Sequence, residues 1–190
     1  MHGWLRKSPR VFTGGFSVGA TLVLPVRAPV AMSSAPLFHL AFPVVDLEAT
    51  EHWYVQGLGC RRGRRSAEAL VLELGGHQLV AHLEPGEPQT QKGIYPRHFG
   101  LVFASSEELD ALEQRARAQG LRLEGEPRLR FSGTPLEHRS LFLIDPSGNW
   151  LEFKHYSNPE AITGLESCQQ VGERHRQLPP GGGDQKSTGG

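Results

Sequence analysis

Two histidines and one glutamate are spaced along the sequence in a way that could form a metal site. His39 and His98 lie in similar strand-like runs, FHLAFPVV and RHFGLVF, and Glu152 lies within a third, NWLEFKHY. Imidazole nitrogens and carboxylate oxygens are common ligands of divalent metal ions. Three such ligands on separate strands would leave coordination positions open for a substrate, so the pattern indicates function as well as fold.

The elements that must position these residues occur twice. The first module, about 37–83, is a strand, a helix capped by Asp46 and three further strands. The second, about 97–156, follows a Pro/Gly-rich connection and repeats the order. Its helix begins at the capping-box sequence Ser105 to Glu108, and strands are expected at about 121–130, 139–145 and 149–156. We therefore predict two βαβββ modules that build one site between them.

The rest of the composition suggests one ordinary domain with two flanking segments. Residues 1–34 contain Met32 just before the first strand pattern, which favours a misassigned start, with a targeting segment as the alternative. Residues 158–190 end in a Pro/Gly-rich run that has too little apolar surface to form a core. We predict a folded domain at 35–157, between a disordered or misassigned N-terminal extension and a disordered C-terminal tail.

Charge and cysteine content narrow the class of partner and compartment. Twenty Lys and Arg balance twenty Asp and Glu, which gives no reason to expect nucleic acid as a partner. The apolar run 16–26 is too short to cross a bilayer, so we predict no membrane association. Two cysteines, Cys60 and Cys168, are too few for a disulfide framework, which favours a cytoplasmic protein.

The alternation of side chains along the strands separates the two modules chemically. In HQLVAHL, the residues Gln78, Val80 and His82 share one face, and aligning GHQLV with GNWLE makes Val80 equivalent to Glu152. The first module therefore lacks a carboxylate at this position. The predicted site has three protein ligands.

Several motifs in order carry a resemblance to a known superfamily. FHLAFPVVDL, GHQLVAHL, RHFGLVF, RFSGTP and LFLIDPSGNWLEFK resemble the vicinal oxygen chelate superfamily of glyoxalases, bleomycin-resistance proteins and extradiol dioxygenases. Within it, they look like a group of single-domain proteins described as predicted extradiol-type dioxygenases. The resemblance implies an α+β fold in which the two modules form a curved, open, barrel-like mixed sheet.

The same resemblance implies a metal site and a reaction. It assigns His39, His98 and Glu152 as metal ligands, and the valine at 80 counts against a glyoxalase. Two histidines and one carboxylate favour Fe(II), with Mn, Zn or Ni as alternatives. The implied activity is a dioxygenase that uses O₂ and a small oxygen-chelating substrate such as a catechol-like compound.

Roles for further residues near the metal follow from the chemistry that such a reaction needs. An acid or base near the substrate oxygens is required, and His82 is the first candidate, with Tyr95 and His138 on flanking loops as the others. Arg130 or Lys154 could hold an acidic substituent of the substrate.

Four alternatives stay open from the sequence. Glu152 could instead form a salt bridge with an arginine. The site could serve a glyoxalase-like lyase or isomerase, or the protein could be a non-enzymatic small-molecule binder of the resistance type. The two modules could also pair within one chain or between two chains of a homodimer.

Overall fold

The structure, a computed structural model, describes residues 36–88 and 91–172. The predicted N-terminal extension, 1–34, and the part of the predicted C-terminal tail from 173 onward lie outside these residues. Residues 158–172 are described, and they include a 3-10 helix, Pro159–Ala161, directly after the last strand. Across the described ranges no helix is both long and apolar enough to cross a bilayer.

The described chain contains eight strands and two main helices. The strands are β1 (His39–Val44), β2 (Arg61–Arg65), β3 (Ala69–Leu74), β4 (His77–Leu83), β5 (Phe99–Val102), β6 (Arg128–Arg130), β7 (His138–Ile144) and β8 (Trp150–Tyr156). The helices are α1 (Leu47–Glu51), which continues as a π-helix over His52–Leu58, and α2 (Ser106–Ala118).

The helix ends follow the signals in the sequence. The Asp46 carboxylate accepts hydrogen bonds from the backbone N–H groups of Glu48 and Ala49 at 2.7 and 3.0 Å, which satisfies donors that the first turn leaves unpaired. Gly59, at φ 95°, ends the π-helix in a left-handed conformation that favours glycine. The predicted capping box of α2, from Ser105 to Glu108, is confirmed.

The strands form two four-stranded mixed sheets, one per module, in the orders β1-β4-β3-β2 and β5-β8-β7-β6. In each sheet the first strand of the module runs parallel to the last, and the other neighbours are antiparallel. This confirms the α+β fold of two βαβββ modules. The sheets are curved modules that do not close into a barrel.

One predicted strand is much shorter than expected. The run 121–130 pairs as a strand only over Arg128–Arg130, with an isolated bridge from Leu123 to Leu143. Gly125, at φ 75°, and Pro127 interrupt the run, because neither supports a regular ladder.

The core lies between the helices and one face of both sheets. It joins both modules, with Phe42 and Leu72 from the first and Leu141 and Phe153 from the second. Removing each such side chain from water contributes about 2 kcal/mol. Because this face is buried, the opposite face of each sheet is left for polar side chains.

A buried polar contact also links the modules. The Tyr54 hydroxyl donates to the Asp145 carboxylate at 3.0 Å, and Asp145 also accepts the backbone N–H of Ser147 and the side chain of Asn149. The turn before β8 is therefore held against the helix of the first module. This contact helps to fix the start of β8, and with it the position of Glu152, relative to the core.

Strand β2, with the arginine-rich sequence RRGRR, is the exposed edge strand of the first sheet. Every residue of β2 is exposed, and Arg62 and Arg65 form ion pairs with Glu51 of α1. The run therefore has a structural role at the sheet edge.

Candidate functional site

Strand register confirms that Val80 and Glu152 are equivalent positions. Val80 lies opposite Ala41 of β1, and Glu152 lies opposite Gly100 of β5. His39 precedes Ala41 by the same spacing as His98 precedes Gly100. The two modules thus share one geometry, but only the second has a carboxylate at this position.

His98 and Glu152 form the centre of the candidate site. His98 Nε2 lies 3.2 Å from Glu152 Oε2. His98 Nδ1 lies 2.7 Å from the Ile94 carbonyl oxygen, which can only accept, so Nδ1 carries a proton that it donates. Nε2 is therefore the nitrogen that faces the carboxylate and the cavity.

The pair perturbs both pKa values. Burial opposes ionisation of Glu152, but hydrogen bonds from His98 and Lys154 outweigh it and lower the pKa of the carboxyl to about 2. The hydrogen bond to Glu152 raises the pKa of His98 above its ordinary value of 6.5, against the opposing effect of burial. A carboxylate and a proton-bearing imidazole are thus favoured together in the metal-free protein.

Two more side chains hold the carboxylate in place. Lys154 Nζ lies 2.9 Å from Glu152 Oε2, and the fully buried Ser140 donates its hydroxyl to Glu152 Oε1 at 3.1 Å. The sequence suggested an arginine as the alternative partner of Glu152, and the cation beside it is instead a lysine two residues further along β8. Both carboxylate oxygens therefore have partners, as a buried carboxylate requires.

A cavity of about 370 Å³ lies beside this pair. It brings together six of the eight residues that the sequence selected: Tyr95, His98, Arg130, His138, Glu152 and Lys154. Four of them come from one sheet: Arg130 ends β6, His138 begins β7, and Glu152 and Lys154 lie on β8. The register pairs Arg130 with His138 and His138 with Tyr156, and alternation along β8 places Lys154 and Glu152 on the same face as Tyr156. The cavity thus combines a carboxylate with two cations and two imidazoles.

His138 is fixed in one tautomer inside this cavity. Its Nδ1 donates to the Leu136 carbonyl oxygen at 2.8 Å, and its ring lies between Phe131 and Tyr156 at centroid distances of 5.5 and 4.5 Å. Burial lowers the pKa of His138 below its ordinary value. A neutral His138 therefore has its Nε2 available as a proton acceptor.

His39 and His82 lie on the other module. His39 Nδ1 contacts Gln78 Oε1 at 2.8 Å, and His82 is an exposed residue of β4 on the same sheet face. Among residues 36–88 and 91–172 no three His, Cys, Asp or Glu side chains are grouped closely enough to hold a metal ion. The described part of one chain thus brings together two of the three proposed ligands.

Several residues of the site were not selected from the sequence. Ser140 could have been found, because alternation along β7 places it on the same face as His138. The residues after β8 that line the cavity, among them Ile162 and Leu165, had no signal in the sequence. Isolated apolar residues separated by glycine and polar residues are typical of a tail. Cys60, by contrast, is a buried packing residue, and burial raises the pKa of its thiol to about 12.

Comparison with known proteins places the chain in a family. The family model for the Glyoxalase/Bleomycin resistance protein/Dioxygenase superfamily matches residues 37–153. No curated protein matches the chain.

Solved structures similar to this chain agree with the family model. A glyoxalase/bleomycin resistance protein/dioxygenase from Alicyclobacillus acidocaldarius is 38% identical, with a TM-score of 0.64, over 67% of this chain and 96% of the other. An integron cassette protein from the Halifax Harbour sewage outfall metagenome is 27% identical, with a TM-score of 0.51, over 63% of this chain and 97% of the other.

A more distant relative shares the fold alone. The fosfomycin resistance protein FosX from Listeria monocytogenes is 20% identical, with a TM-score of 0.53, over 67% of this chain and 98% of the other. With the family model, the duplicated modules and the polar face around Glu152 in agreement, the chain belongs to the glyoxalase/bleomycin resistance protein/dioxygenase superfamily.

Proposed function

We propose that this protein is an Fe(II)-dependent dioxygenase of the extradiol type, acting on a small oxygen-chelating substrate such as a catechol-like compound. The observation that carries the proposal is the His98–Glu152 pair, at 3.2 Å, on the inner wall of a cavity that also contains two cations and a second histidine. Members of the superfamily generally use divalent metals.

The donor atoms of this pair fit a divalent metal. Because His98 Nδ1 donates to the Ile94 carbonyl, Nε2 is oriented to act as a ligand once its proton is lost. Glu152 is already an anion, and Ser140 fixes its other oxygen. When bound, Fe(II) would supply a Lewis-acidic, redox-active centre with positions open to substrate and O₂.

The third ligand in this proposal is His39 of a second copy in a homodimer. His39 lies on the open face of the first sheet, directly after Leu37 and Phe38, which are 47% and 60% exposed. Adjacent exposed apolar side chains favour contact with another surface. His98 also borders a second cavity of about 410 Å³ beside β1, which leaves it accessible from that side.

The remaining residues have proposed roles toward the substrate. Arg130, 8% exposed, and Lys154 would hold an anionic group of the substrate inside the cavity. His138 Nε2 would take a proton from a substrate hydroxyl, and Tyr95 lies at the rim, with its ring 6.2 Å from that of His98. His82 shares the sheet face of His39 but lies four residues further along the paired strands, so a second copy that supplied His39 would present His82 on the same face.

Oxygen consumption tests the reaction. Metal-free protein is reconstituted with Fe(II) under anaerobic conditions and then screened for O₂ uptake with catechols, hydroxyquinols and enediols. We expect uptake with at least one class, at a stoichiometry of one O₂ per substrate consumed. Turnover that continues without O₂ would instead indicate a lyase or isomerase. No O₂ uptake with any class of substrate would contradict the proposed dioxygenase activity.

Subunit complementation tests the shared site. His39→Ala and His98→Ala should each abolish iron binding, whereas a mixture that is unfolded and refolded together should regain about a quarter of the native sites, because half of the dimers are mixed and each has one intact site. Refolding each variant alone is the control. No recovery in the mixture would place His39 outside the metal site.

A further inference from the structure

Two residues in the described ranges adopt a backbone conformation that their side chains disfavour. Phe131, at φ 51°, and Leu165, at φ 57°, are the non-glycine residues with positive φ among residues 36–88 and 91–172. For bulky residues this conformation brings the β-carbon too close to the backbone, so it persists only where the surroundings require it. Both residues line the 370 Å³ cavity.

The cavity has two chemically different walls. The sheet wall is polar and contains Arg130, His138, Glu152 and Lys154. The rest of the lining includes apolar side chains from Phe131, Leu136 and the segment after β8, which also contributes Thr163 and Gln170. Its apolar members in that segment, defined here as the C-terminal wall, are Ala161, Ile162, Leu165 and Val171.

The C-terminal wall is held in position by local contacts. The Asn158 side chain caps the 3-10 helix by accepting the N–H of Glu160 at 3.1 Å, and Gly164 N–H donates to the Glu160 carbonyl at 2.8 Å. At its far end, Gly172 packs so closely on the Tyr95 hydroxyl that a β-carbon there would collide with it. The segment thus spans the cavity from the end of β8 to Tyr95.

We infer that the C-terminal wall determines specificity by binding the apolar body of an amphipathic organic anion, whose anionic group is held by Arg130 and Lys154. The cavity volume lies near the lower limit for small-molecule pockets, which suits a ligand of one or two rings. The inference rests on the proposed function in taking this cavity as the substrate site. It requires neither iron nor O₂ for binding.

The test is equilibrium binding to the metal-free full-length protein. The probes are 2-naphthoate, the uncharged 2-naphthol and acetate, followed by ligand fluorescence and by calorimetry. Native protein should bind 2-naphthoate at least about tenfold more tightly than either other probe, because only 2-naphthoate satisfies both walls.

Variants of each wall separate the two contributions. Leu165→Gly relieves the backbone conformation and Leu165→Asn keeps it accessible, yet both remove apolar contact and should weaken 2-naphthoate about tenfold without changing acetate. Arg130→Gln should weaken 2-naphthoate by a similar factor and leave 2-naphthol unchanged, with Lys154→Met as a second variant if Arg130→Gln folds poorly. Leu129→Ala is the matched control, since Leu129 is an exposed apolar residue outside this cavity.

Unchanged 2-naphthoate affinity in both Leu165 variants, or no binding to the native protein, would overturn the inference. The result is independent of the oxygen assay. Selective binding that is lost in the Leu165 variants would support the pocket even if every oxygen-consumption screen were silent.

Discussion

The two modules share strand order, register and helix placement, but differ at the positions that carry chemistry. The strand register makes the following positions of the two modules equivalent: His39 and His98, Ala41 and Gly100, Ala69 and Ser140, Val80 and Glu152, and His82 and Lys154. The first module keeps its histidine and lacks the carboxylate, the hydroxyl and the lysine. One scaffold therefore supports an ionic site in one copy and an open face in the other.

The difference shows what a buried carboxylate requires from its surroundings. Glu152 is ionised because His98, Lys154 and Ser140 together offset the cost of burial. Val80 needs no such partners, so the equivalent positions around it are free to be apolar or solvated. The duplicated fold thus leaves each module's chemistry to a small set of residues on one face of its sheet.

The largest effect should follow from making the second module resemble the first at its centre. Glu152→Gln removes the anion while keeping the side-chain shape, and iron affinity and oxygen uptake should fall at least about 100-fold, since even outer partners of metal ligands are worth 10- to 100-fold. Metal content and O₂ consumption measure the effect. His155→Gln is the control, because His155 lies on the opposite face of the same strand; an equal loss there would mean general damage to β8.

The next largest effect should come from exchanging the residue types at the equivalent positions Gly100 and Ala41. A β-carbon at Gly100 would collide with the Glu152 backbone, so Gly100→Ala should destabilise the fold by about 3 kcal/mol. The reciprocal change, Ala41→Gly, should cost about 1 kcal/mol from backbone entropy alone. Urea unfolding of the metal-free variants measures both. Equal small costs would show that β5 can move away from β8.

Acidification should affect the second module through Glu152. The pKa of Glu152 in the folded protein, about 2, lies below the ordinary value of 4.5. Ionised Glu152 therefore contributes to the free energy of unfolding fully above pH 4.5, and this contribution, about 3 kcal/mol in total, is lost as the pH falls toward 2. His98 has a raised pKa, so its share of the same interaction is present below pH 6.5 and is lost as the pH rises through the raised value. In chemical unfolding of the metal-free protein, Glu152→Gln should reduce the loss of unfolding free energy at low pH. Glu124→Gln, at an exposed position, should leave that loss unchanged.

The smallest effect should come from the hydroxyl that only the second module has. Ser140→Ala gives β7 the residue that β3 has at the equivalent position, and it removes the hydrogen bond to Glu152 Oε1. Iron affinity should fall about tenfold, while Ser140→Thr, which keeps a hydroxyl, should retain more of it. Equal affinities in both variants would mean that Ser140 is only a packing residue.

Much of the fold could be predicted because its signals are local. Caps at Asp46 and Ser105, the glycine at 59 and alternating strands fix each element from neighbouring residues. The alignment of Val80 with Glu152 succeeded for the same reason, since repeated strand lengths preserve register. The strand at 121–130 was overestimated because Gly125 and Pro127 outweigh an otherwise strand-like pattern.

The site was predicted only in part. His98, Glu152, Lys154, Arg130, His138 and Tyr95 meet at one cavity, whereas His39 and His82 lie on the other module and their roles stay predictions. Sequence spacing gives the face of a strand on which a side chain lies. It gives no information on which sheet faces which, because this depends on contacts between distant elements.

The sequence by itself determined the two βαβββ modules, the strand face on which each candidate ligand lies and the asymmetry between Val80 and Glu152, because strand alternation and helix caps depend on adjacent residues. Only the tertiary structure decided that Lys154 and Ser140 complete the partners of Glu152 and that the C-terminal wall lines the same cavity as Glu152. The physical reason is that burial and cavity shape arise from the packing of residues far apart along the chain.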